Sequence, residues 1–156
     1  MRKVSFALAG AVLVATLAAG PVLADGHLEK AVEARNAQMS LYAWNLGMLG
    51  GMAKGAVEYD ADKAKAAASN LAALTALSQQ GMWPEGSDNF ALEGKTRALP
   101  EIWTTYPAVS EKGKDLETAA ARLAEVAGNG LDALKGGIGD VGKACGACHK
   151  QFRAPK

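Results

Sequence analysis

Apolar residues along this chain recur at intervals of three and four and never sustain a strict alternation, a pattern that predicts helices and no strands. Between His27 and Lys54 the seam runs Leu28, Val32, Met39, Tyr42, Leu46 and Leu49, with Arg35 as the one misfit among them. A stripe of this kind packs one side of a helix against its neighbours. A second helix is predicted from Asp60 to Gln80, with Asp60 as N-cap, Leu71, Leu74 and Leu77 facing inward, and Gly81 as the stop. A third should begin near Pro107, which suits a first helical turn, and end before Gly128, with Val109, Leu116, Ala120, Leu123 and Val126 on its inner face.

The fourth segment, Leu131 to Arg153, carries the seam Leu131, Leu134, Ile138, Val141, Cys145, Cys148 and Phe152. Gly136, Gly137, Gly139 and Gly142 each cost about 1 kcal/mol of helix propensity against alanine. A helix holding so many glycines is expected to need the close approach of something bulky. Between the second and third segments, Gly81 to Tyr106 is irregular, with Pro84, Gly86, Gly94 and Pro100. Such a long connection is usually functional or held down, and Trp83, Phe90 and Trp103 predict that it packs onto the body. Short links between segments one and two, and three and four, favour antiparallel neighbours. The predicted fold is an all-α, up-down-up-down antiparallel four-helix bundle.

The N-terminus changes what counts as the domain. Arg2 and Lys3 precede an apolar stretch from Val4 to Gly20, and Val22-Leu23-Ala24 offers a small-residue cleavage pattern. This reads as a secretory signal peptide over residues 1–24, leaving residues 25–156 as one domain. A permanent membrane helix is the rival, but the run is short for a span. The whole chain has 17 basic and 16 acidic residues. The leader takes two of the basic ones, so the mature domain carries about −1, without the basic tract that nucleic acid requires. The expected protein is exported to the periplasm, with no stable membrane association once the leader is removed.

Export allows disulfides, yet the only two cysteines stand three apart, and a bridge between them would constrain little of the unfolded chain. Cys145-Gly146-Ala147-Cys148-His149 is C-x-x-C-H, the attachment signature of a c-type haem. On one helical turn the two thiols share a side and can each add to a vinyl group of one haem. The histidine that follows meets the iron. A thioredoxin-like site expects a βαβ context, and a zinc site needs four ligands. The other histidine, His27, stands in no recognisable spacing and reads as a solvated helix-start residue.

A C-terminal C-x-x-C-H followed by Phe152 and Arg153, on the last helix of such a bundle, resembles the class II c-type cytochromes: cytochrome c′ and its low-spin c-554 and c-556 relatives. The likeness spans the mature chain. It includes Arg35 and Met39 four apart, Met52, Lys54 and Gly55 after the first helix, Pro100 to Trp103, and Gly139 to Cys145. The resemblance implies one haem c held by Cys145 and Cys148, with His149 as iron ligand. It implies Arg35 at a haem propionate, with Asn36 assisting. Arg153 would tune the proximal side electrostatically or simply favour the helix C-terminus.

The resemblance also makes position 39 decisive. In cytochrome c′ the side chain there is unbonded and the iron is open, high-spin and able to take nitric oxide or carbon monoxide. In the low-spin relatives a methionine ligates the iron. Methionine on an apolar stripe is commonly core, but here it favours His149 and Met39 as axial ligands of a one-electron carrier. Met48, Met52 and Met82 read as packing or loop residues. Nothing in the sequence forms a catalytic acid–base pair, so no enzyme activity is expected. Periplasmic redox partners and homodimerisation through the first two helices are further implications of the family.

Overall fold

The computed structural model describes the backbone of residues 22–155 and the side chains of residues 26–155. The expected signal peptide lies outside the described residues except for Val22–Ala24, which open the first helix. The helices are α1 (Val22–Ala53), α2 (Ala61–Thr75), the single turn α3 (Glu101–Thr104), α4 (Tyr106–Val126) and α5 (Leu131–Phe152). The four long ones close a ring, α1 on α2, α2 on α4, α4 on α5 and α5 back on α1. The only β pairing among the described residues is an isolated bridge between Ala98 and Arg153.

Leu49, Leu71, Leu123, Leu134 and Val141 are fully buried where the four helices meet. Removing each such leucine from water contributes about 1.5–3 kcal/mol. On α1 the predicted seam is buried at Val32, Arg35, Tyr42 and Leu49, and the buried stripe widens to take in Ala31, Gln38, Asn45 and Met52. Met39 and Leu46 are left half-buried beside it. Beyond Leu46 a cleft of ≈ 480 Å³ opens between α1 and α5, lined in part by Gly50, Ile138 and Gly142.

α2 stops five residues short of its predicted end, and Leu77 is exposed rather than inward. The cause is tertiary. Gln38 Nε2 and Tyr42 Oη, both from α1, donate to the Leu74 carbonyl at 3.0 and 3.1 Å and satisfy the end of the helix there. Its start agrees with the sequence, the Asp60 carboxylate accepting from Lys63 N–H at 3.0 Å. Tyr59 Oη then donates to the Ala127 carbonyl and accepts from Gly130 N–H, both at 2.9 Å, pinning the α1–α2 link to the α4–α5 turn.

The glycines of α5 divide in two. A Cβ on Gly137 would stand 2.9 Å from Leu123 Cδ1 and 3.3 Å from Val126 Cγ2, so α4 supplies the close approach there. Gly136, Gly139 and Gly142 face open space, and nothing bulky presses on them among the described residues.

Candidate functional site

Cys145 and Cys148 lie on the inner side of the last turns of α5, as free thiols, each half-buried. Cys145 packs against the main core together with Met39 and Leu46, whereas Cys148 packs against a second cluster of Ala98, Ile102 and Phe152. Burial pushes both thiols above their usual range. A redox C-x-x-C needs the opposite, a depressed thiolate. His149 is half-buried one residue on. Burial first, then the positive charges of Arg153 and Arg97, hold its imidazole below the usual range. It stays neutral near pH 7 and keeps a lone pair for a metal.

Met39 stands half-buried on α1 and packs against the cluster that includes Tyr42 and receives Cys145. Arg35, one turn before it, is only 2% exposed. Its Nη1 donates to Ser87 Oγ at 2.7 Å and to the Met82 carbonyl at 3.3 Å. Its Nη2 donates to the Ser87 carbonyl and to Thr96 Oγ1, the latter at 3.0 Å. The guanidinium carbon sits 4.5 Å from the centroid of the Trp83 ring. No carboxylate lies within ion-pairing distance of Arg35 among the described residues. Desolvation lowers its pKa to about 10, with Asp88 opposing from further off. Asn36 is exposed on the outer side of α1, so the structure does not bring it to Arg35 and Met39.

Of the residues that receive Arg35, Trp83 is predicted from the sequence to pack onto the body, whereas Ser87 and Thr96 carry no signal. Trp83 donates its indole N–H to Gln79 Oε1 at 2.7 Å and packs beside Trp103, centroids 6.5 Å apart. Phe90, predicted to pack, is instead 77% exposed. Further along the same connection, Arg97 Nε donates to the Ala154 carbonyl at 2.8 Å. Backbone bonds from Ala154 to Arg97 and from Leu99 to Phe152 lie on either side of the Ala98–Arg153 bridge. Isolated serine, threonine and arginine residues in a loop carry no periodic signal, so only the fold reveals this assembly.

These residues fit a haem on three independent grounds. Two unbridged thiols share one helix face, a neutral imidazole follows them, and a buried cation lacks the anionic partner that buried charges require. The cleft between α1 and α5, whose Gly50 and Gly142 leave open space where side chains would stand, adjoins the site. His27, the remaining histidine, is exposed in the first turns of α1.

Comparison with known proteins agrees. The family model described as Cytochrome C′ matches residues 30–153. The chain is 41% identical over 127 residues to a cytochrome c-554 of Cereibacter sphaeroides, covering 81% of this chain and 95% of that protein. It is 38% identical to a cytochrome c′ of the same species over 156 residues, the full length of both. A solved cytochrome c′ from Rhodobacter Spheriodes superposes with a TM-score of 0.80 at 37% identity, covering 83% of this chain and 98% of the other. Relatives of the c-554 and the c′ kind thus share one architecture with this chain, which belongs to the cytochrome c′ family, whose members bind one covalent haem c.

Proposed function

We propose that the protein is an exported one-electron carrier whose haem is tethered by Cys145 and Cys148, with His149 and Met39 as the two axial ligands of the iron. The observation that carries this is the position of Met39. Its thioether comes from α1 onto the cluster that Cys145 reaches from α5, so the attachment helix and a soft ligand border the same space. When bound, haem c supplies the one-electron Fe(II)/Fe(III) couple.

The chain's own residues prepare that couple. Burial and two neighbouring cations keep His149 neutral, the form in which imidazole binds iron. Met39 supplies a thioether, a ligand that favours the reduced state and so suits an acceptor of electrons. Arg35 is placed to meet a propionate, the anion its buried guanidinium lacks; Asn36, exposed, is not used. No helix among the described residues is long and apolar enough to cross a membrane, and the leader expected from the sequence supports a periplasmic location. Leu41, Trp44 and Met48 stand exposed along one outer stripe of α1, which suits a second copy of the chain.

The full-length likeness to a cytochrome c′ favours a second reading, an open high-spin iron that takes nitric oxide or carbon monoxide. One optical experiment separates the two. The purified ferrous holoprotein is recorded before and after addition of carbon monoxide. Sharp low-spin bands that barely respond support ligation by Met39, whereas a high-spin spectrum converted readily by the gas supports the open iron.

A further inference from the structure

Two consecutive residues of the long connection hold the two helices that carry the candidate axial ligands. Thr96 Oγ1 accepts from Arg35 Nη2 at 3.0 Å, and Arg35 lies one turn before Met39 on α1. Arg97 Nε donates to the Ala154 carbonyl at 2.8 Å, with Nη2 on the same oxygen, and Ala154 lies just beyond the end of α5 that carries His149. Ala98 completes the tie. Its N–H donates to Thr96 Oγ1 at 3.2 Å, and it forms the isolated bridge to Arg153. Leu99 N–H to the Phe152 carbonyl at 3.0 Å and Ala154 N–H to the Arg97 carbonyl at 2.8 Å flank that bridge.

The geometry points to Thr96–Ala98 as a strap that fixes the spacing of α1 and α5 at the haem end of the bundle, with Thr96 and Arg97 as positioning residues for Met39. This rests on the proposed haem site. Elsewhere α5 leans mainly on α4, while α1 and α5 part around a cleft. Without the strap, the distance between the distal and proximal walls would depend on the sparse direct contacts of α1 and α5. A helix is stiff over one turn, so a tie at Arg35 places Met39. The tie from Leu99 to Phe152, in the last turn of α5, places His149, with Arg97 on Ala154 securing the chain just beyond. Arg97 donates two parallel bonds to one carbonyl, an arrangement that a flexible lysine ammonium reproduces only in part.

The test uses haem-loaded Arg97→Ala, Thr96→Val and Arg97→Lys, and follows carbon monoxide association with the ferrous protein, the reduction potential and thermal stability. Loosening the strap should let Met39 swing away. Arg97→Ala and Thr96→Val should each speed gas association by about tenfold, the factor that corresponds to one charge-assisted hydrogen bond. Arg97→Lys, keeping one donor, should fall between them and the parent protein. In the low-spin case the potential should also drop, as thioether ligation is lost. The parent spectrum alone decides whether Met39 binds the iron. If that iron proves open, Met39 still shields it, and the variants should still speed association. Variants that melt earlier but keep the parent association rate and potential would reduce the strap to a structural tie and overturn the proposal.

Discussion

The guanidinium of Arg35 lies over the indole of Trp83, 4.5 Å from its centroid, while its Nη1 donates to Ser87 Oγ at 2.7 Å. Ser87 is itself fully buried and donates onward to the Pro84 carbonyl at 2.7 Å. A charge from α1 therefore organises the connection between α2 and α3. Arg35→Met keeps most of the volume but leaves the Ser87 hydroxyl and carbonyl oxygens without a donor, while Thr96 keeps only the bond from Ala98 N–H. Its expected cost in urea denaturation of the holoprotein is about 2–4 kcal/mol, since hydrogen bonds to charged groups are the strong ones. A loss under about 0.5 kcal/mol, the scale of an ordinary surface substitution, would contradict this role.

Gly137 and Gly136 are neighbours on α5 with opposite expectations. A methyl on Gly137 meets Leu123 Cδ1 at 2.9 Å, and Leu123 is fully enclosed and has nowhere to go. Gly137→Ala should therefore destabilise by about 1–2 kcal/mol despite its gain in helix propensity. Gly136→Ala meets nothing within 4 Å and should stabilise by about 0.5–1 kcal/mol. Chemical denaturation of the two variants side by side checks both signs.

Tyr42 gives the fold an alkaline limit. Burial above all, with a smaller contribution from Cys145, pushes its phenol up to about 12 from 10.0. In that window the unfolded chain has already released the proton that the folded chain still holds, so stability falls as pH rises. Below pH 10 the two states bind this proton equally and the slope vanishes. Tyr42→Phe should remove that alkaline slope while costing about 1 kcal/mol at neutral pH for the lost bond to Leu74. Urea midpoints measured from neutral pH to pH 11.5 decide; a variant with the parent's alkaline slope would show that another group is responsible.

Much of this was legible in the chain, for reasons that differ from residue to residue. The seams on α1 and α5, the Asp60 cap and Pro107 at the start of α4 are local signals, and the structure follows them. The C-x-x-C-H motif is legible because the chemistry tolerates only that spacing. The early end of α2 is not, because the groups that satisfy Leu74 come from Gln38 and Tyr42 on another helix. The glycine-rich run of α5 looked uniform, yet only Gly137 is pressed by a neighbour. Arg35 was visible as a misfit; its partners Ser87 and Thr96 were not, since each is a lone polar residue whose meaning is set by tertiary placement.

The outer stripe of α1 makes a claim about assembly. Trp44 is 68% exposed, with Leu41 and Met48 on the same side of the helix. Covering that stripe with a second copy would bury a large aromatic anchor of the kind that dominates interfaces. Trp44→Glu should shift the holoprotein to monomer in sedimentation velocity, with its optical spectrum unchanged. A parent protein that is monomeric at high concentration would remove this surface from consideration.

The central claim is that Met39 supplies the second axial bond, and replacing it tests that claim most directly. The ferrous spectra of the parent holoprotein and of Met39→Ala should be recorded together, each with and without carbon monoxide. The parent should be low-spin and nearly inert to the gas, and the variant high-spin and readily converted by it. A variant that keeps low-spin bands, or a parent that is already high-spin, would contradict ligation by Met39.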